Sequence, residues 1–194
     1  MVNENFLKKK IAKELIELGF KTYIDKDGNE LPKFRGEKKL GSLKKPDLIV
    51  FFDNEKDSHY ISSPFGIELK DNVSFGASVN QPIMQMSQYK EEPKYLIEGK
   101  RYGLKTILLG TRSSVENNTI YWGSKLFPKT QREDAKYGIE WAITRQLFSL
   151  SMGKGEKKLF FGLFKKDDIG FYIQFPNFIY RLVSGGKIQC IPVI

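Results

Sequence analysis

Apolar residues recur at Leu7, Ile11, Leu15 and Leu18, the spacing of one helical face, while Lys8, Lys9, Lys10 and Lys13 take the other faces. That period predicts an amphipathic helix over 3–18, ended by Gly19 and followed by a strand over 20–24. Residues 25–45 read as a loop with a turn signal at Asp27-Gly28-Asn29. Leu48 to Phe52 is unbroken in its apolar character, the mark of a strand covered on both faces. A turn at 53–57 leads to a third strand within 60–70. After a Gly- and Ser-containing loop over 71–80, a helix is expected from about Gln81 to Lys90. Asn80 would be its N-cap, and Pro82 is tolerated in its first turn. A fourth strand is expected over 104–110.

Beyond Thr111 the pattern changes. Thr119 to Trp122 suits a short strand, and Thr130-Gln131-Arg132-Glu133 forms a capping box that opens a helix to about Leu150. Ala135, Ile139, Ala142, Ile143 and Leu150 line one side of that helix, and Tyr137, Trp141 and Phe148 another, so it is expected to be covered twice. The tail reads as an antiparallel β-meander over 159–164, 169–175, 178–183 and 187–194. Pro192 suits an edge strand. The expected architecture is therefore α/β. Residues 1–111 form a core of helix, three strands, helix and strand, and residues 112–194 add a helix and meander to the same domain for DNA binding or dimerisation.

Length and composition narrow the function classes. A chain of 194 residues with 40% hydrophobic and 28% charged content is ordinary for a soluble globule. No apolar run reaches the roughly 18 residues of a membrane span, and the polar N-terminus is unlike a signal peptide. No membrane association is expected, and a cytoplasmic location follows by default. Cys190 is the single cysteine, which excludes an internal disulfide and a protein-held iron–sulfur cluster. His59 is the single histidine and argues against histidine-based zinc catalysis. The net charge of +9 favours a polyanionic partner. Most of the excess, +6, lies in residues 111–194.

Candidate chemistry gathers where Pro46-Asp47 opens one apolar run and Glu68-Leu69-Lys70 closes the next. On neighbouring strands, Asp47 and Glu68 would meet, and strand alternation puts Glu68 and Lys70 on one face. Two carboxylates and retained waters suit magnesium, which polarises a phosphoryl oxygen and activates water. The Leu69 carbonyl can add a ligand, because its side chain turns away. Lys70 can orient or deprotonate the water, or hold the scissile phosphate. An isolated acid-x-lysine is also a common surface ion pair; the buried apolar run after Pro46-Asp47 is what raises this one. Lys38, Lys39, Lys44 and Lys45 in the basic loop suit either a simple connector or a clamp on a phosphate backbone. Glu4 and Glu14 fall within or beside the apolar stripe of the first helix.

These motifs resemble the PD-(D/E)XK nuclease superfamily over roughly residues 4–111. The resemblance implies a restriction-endonuclease-like core and a magnesium- or manganese-dependent nuclease. It implies metal ligands at Asp47 and Glu68 and a catalytic lysine at Lys70. Glu4 matches the first-helix acid of the virus-type replication-repair nucleases and the Holliday-junction resolvases, with Glu14 as fallback. Gln85-x-x-x-Tyr89 looks like an element of the RecB-like branch, and its i, i+4 spacing brings both side chains to one helical face. The expected function is a DNA endonuclease of recombination or repair, restriction-type or junction- and branch-selective. A homodimer would address both strands. A RecB-like exonuclease and a catalytically silent nucleic-acid-binding module are the alternatives, and a coincidental motif in an interaction protein is a third.

Overall fold

A computed structural model of the chain describes residues 4–25, 31–36, 45–53, 60–70, 82, 85–86, 95–111, 160–167, 170–175 and 178–192. Helix α1 spans Glu4–Glu17. The strands are β1 (Lys21–Asp25), β2 (Lys33–Gly36), β3 (Leu48–Phe51), β4 (Phe65–Lys70), β5 (Tyr95–Ile97) and β6 (Lys100–Tyr102). They continue as β7 (Thr106–Thr111), β8 (Phe160–Asp167), β9 (Gly170–Gln174), β10 (Phe178–Val183) and β11 (Lys187–Pro192). All belong to one mixed sheet in the order β11-β10-β9-β8-β7-β4-β3-β1-β2-β5-β6. Pro192 thus lies on an edge strand, where its missing amide disrupts no ladder.

The expected α/β restriction-endonuclease-like core with a C-terminal helix is not the fold observed. Among the described residues the protein is largely β, with one complete helix against an eleven-stranded sheet. Three pairings make the difference. Strand β8 runs parallel to β7, from Thr106 opposite Phe160 to Gly110 opposite Phe164, so the meander continues the sheet. Within the basic loop, Phe34 is fully buried and anchors β2 beside β1. Residues 95–102 form a hairpin whose turn residues Glu98 and Gly99 both have positive φ, 47° and 78°. The helix and strand expected within 119–150 lie outside the described residues. Of the helix expected over 81–90, Pro82, Gln85 and Met86 are described, and all three are helical.

The sheet separates two cores. On one face Leu7, Ile11, Ala12 and Leu15 of α1 pack with Leu48, Val50, Phe65, Ile67, Leu69, Phe164 and Phe171. On the other, Tyr23, Ile49, Ile107 and Leu109 pack with Phe34, Met86, Tyr95 and Ile97. The sheet curls so that the β5–β6 hairpin covers this second face. Tyr102 of β6 meets Phe51 of β3 edge-on at 5.0 Å, and the Tyr23 hydroxyl donates to Glu98 at 2.7 Å. The two chain ends are tied together by the β10–β11 turn, where the Gly186 amide donates to the Leu18 carbonyl at 3.0 Å. A Cβ on Gly186 would lie 2.6 Å from the Gly19 carbonyl oxygen, so only glycine allows this approach.

Candidate metal centre

Strands β3 and β4 are antiparallel, with Leu48 opposite Ile67 and Ile49 opposite Gly66. The Asp47 amide donates to the Ile67 carbonyl at 2.9 Å, which holds the residue against β4 just before β3 begins. Its Oδ2 accepts the Leu69 amide at 2.8 Å. The carboxylate therefore serves as acceptor for that strand amide, which orients it. Its Oδ1 faces the Lys8 ammonium at 3.4 Å.

Glu68 is buried, with 2% of its surface exposed, on the face of β4 opposite α1. Such a carboxylate needs charged or hydrogen-bonding partners to remain in place. Gln85 Nε2 donates to its Oε1 at 2.7 Å, and the Lys70 ammonium pairs with the same oxygen. Lys70 follows on the same face two residues on, with a quarter of its side chain in water. Tyr95 is fully buried in the core on this side. Its burial, and then the charge of Glu68, hold its hydroxyl well above the ordinary tyrosine value and therefore neutral.

A hard cation fits this donor set. Magnesium binds through one or two carboxylates and keeps several waters, whereas calcium needs a fuller oxygen cage. Among the described residues no group of three or more His, Cys, Asp and Glu side chains is placed to hold a metal ion. A strand residue aims its amide and carbonyl toward the same neighbour. Since the Leu69 amide points to Asp47, its carbonyl lies on that side as well. Each acid already carries a nearby ammonium, Lys8 on Asp47 and Lys70 on Glu68, so the negative charge is compensated without an ion.

The remaining sequence candidates fall elsewhere. Glu14 pairs with Lys166 of β8, and Lys45 pairs with Asp25 at 3.3 Å. Glu4 opens α1, but its side chain lies outside the described residues, as do Tyr89, Lys38, Lys39 and Lys44. Two residues at the site had not been singled out. Tyr95 carries no motif. Lys8 is buried despite its charge, and the signal for that is spacing: Lys8, Ala12 and Leu15 stand at i, i+4 and i+7 on one helical face.

No protein-family model, curated protein or solved structure matches the chain. Among the described residues no helix is long and apolar enough to cross a membrane.

Proposed function

We propose that the protein is a magnesium- or manganese-dependent endonuclease that hydrolyses DNA phosphodiester bonds. One observation carries the reading: the Asp47 carboxylate accepts the amide of Leu69, the residue between the buried Glu68 and Lys70, whose ammonium pairs with Glu68. Bound there, the ion would polarise the phosphoryl oxygen and lower the pKa of an attacking water. Asp47 and Glu68 would hold it, with the Leu69 carbonyl as a further oxygen. The Leu69 amide keeps the Asp47 carboxylate from rotating, and the Gln85 amide does the same for Glu68. Lys70, partly in water, is placed to orient the incoming water or to neutralise a phosphate oxygen. The net charge of +9 supports a polyanionic substrate.

A second reading has its own support. Both carboxylates are already paired with ammonium groups, which suits a nucleic-acid-binding module that performs no chemistry. Incubation with supercoiled, linear and four-way-junction DNA, with magnesium or with EDTA, separates the two. The endonuclease reading requires nicking that needs the metal and is lost in Asp47→Asn while DNA binding persists. DNA binding without cutting in magnesium or in manganese sinks it in favour of the module. Cutting confined to linear ends identifies an exonuclease, and cutting of RNA alone overturns the choice of substrate.

A further inference from the structure

Helix α1 carries a run of three lysines, and the structure treats them differently. Lys9 and Lys10 are exposed, whereas the Lys8 side chain keeps only 9% of its surface and points at the Asp47 carboxylate. Lysine is almost never buried this far without a partner of opposite charge. The partner here is Oδ1 of Asp47, at 3.4 Å, close to the outer limit of a hydrogen bond. A contact that long holds an ammonium by charge more than by directed bonding. The other oxygen, Oδ2, is committed to the Leu69 amide at 2.8 Å, so Oδ1 is the oxygen left to receive a cation.

We propose that Lys8 is the built-in counter-ion of the metal centre: its ammonium competes with the divalent cation for Oδ1 of Asp47 and so sets the site's metal affinity. The inference rests on the metal-site reading above. An ammonium beside Oδ1 repels a cation arriving at that oxygen, so the ion binds more readily once the ammonium withdraws. Removing the ammonium removes the competitor and leaves the Asp47 geometry intact, because the Leu69 amide alone orients the carboxylate. Lys8 therefore acts on the site through the charge it places beside Asp47.

Manganese titration of the full chain, followed by loss of the free-ion electron paramagnetic resonance signal, tests this. Lys8→Met is expected to bind manganese about tenfold more tightly than the unaltered protein. Lys8→Gln, which keeps a polar head without the charge, is expected to shift affinity the same way. It is the second variant should Lys8→Met fail to fold by circular dichroism. Asp47→Asn is expected to abolish binding in both backgrounds. Equal or weaker manganese affinity in both folded Lys8 variants overturns the role of Lys8 while leaving the site standing. Absence of binding in the unaltered protein and in the Lys8 variants overturns the metal-site reading itself, as does binding that survives Asp47→Asn.

Discussion

Replacing Asp47 with alanine is expected to destabilise the fold even in the absence of metal, and the size of the effect follows from its two partners. The Leu69 amide loses its acceptor, and Leu69 is fully buried, so water does not readily replace it. An amide stranded this way costs about 1–3 kcal/mol. Lys8 loses its counter-charge with 9% of its side chain exposed. A fully buried pair broken on one side costs several kcal/mol, but the lysine stem can swing its head toward water, which reduces this share to about 1 kcal/mol. Together the loss is about 2–4 kcal/mol, or roughly 5–15 °C in Tm for a chain of this size. Urea unfolding followed by circular dichroism measures it. Asp47→Asn keeps an oxygen for the Leu69 amide and is expected to lose only about 1 kcal/mol. Adding Lys8→Met to Asp47→Ala is expected to recover the lysine's share, a non-additivity of about 1 kcal/mol. A loss below about 0.5 kcal/mol for Asp47→Ala, the range of ordinary surface substitutions, would refute the reasoning. The practical consequence is that Asp47→Asn, and not Asp47→Ala, is the variant that separates lost chemistry from lost structure.

Three further outcomes are expected. Lys70→Ala should reduce magnesium-dependent cleavage about 100-fold or more with little change in DNA affinity, read by gel-shift and nicking assays; an equal loss of binding would make Lys70 an anchor. Gly186→Ala should cost about 2–4 kcal/mol in urea unfolding, because φ is +67° and the added Cβ meets the Gly19 carbonyl, whereas Gly185→Ala, with open space at φ +80°, should cost about 1 kcal/mol. Burial and the Glu98 contact push Tyr23 up to about 12. Unfolded tyrosine releases its proton near pH 10, so the native state binds more protons between the two values and stability falls as pH rises from about 10 to about 12. Tyr23→Phe should flatten that slope, and an unchanged slope contradicts the assignment.

Local signals in the chain reached some of this structure and missed much of its pairing. The helical period from Leu7 to Leu18 marks α1, and the apolar runs after Pro46 and up to Lys70 mark β3 and β4, because burial imposes a short-range pattern on each. The contact of the Asp47 carboxylate with the Leu69 amide, next to Glu68, follows once those two strands are neighbours. The extent of the sheet does not follow, since strand pairing is non-local. Strand β2 has one fully buried apolar side chain, Phe34, inside a basic segment that reads as a loop. The β5–β6 hairpin turns on Glu98-Gly99, a weaker signal than Asn-Gly, with a non-glycine residue at positive φ. The parallel pairing of β7 with β8 joins Thr106 to Phe160 and has no local signature. Lys8 lies off the Leu7–Leu18 stripe, and its charge masks the spacing to Ala12 and Leu15 that marks its buried side.

The central claim is that Asp47 and Glu68 jointly grip one hard cation. Anomalous diffraction from crystals soaked in manganese measures this directly. The account predicts a single peak within about 2.1 Å of a carboxylate oxygen of each residue. A peak bound by only one of the two, or no peak between them at saturating manganese, contradicts it.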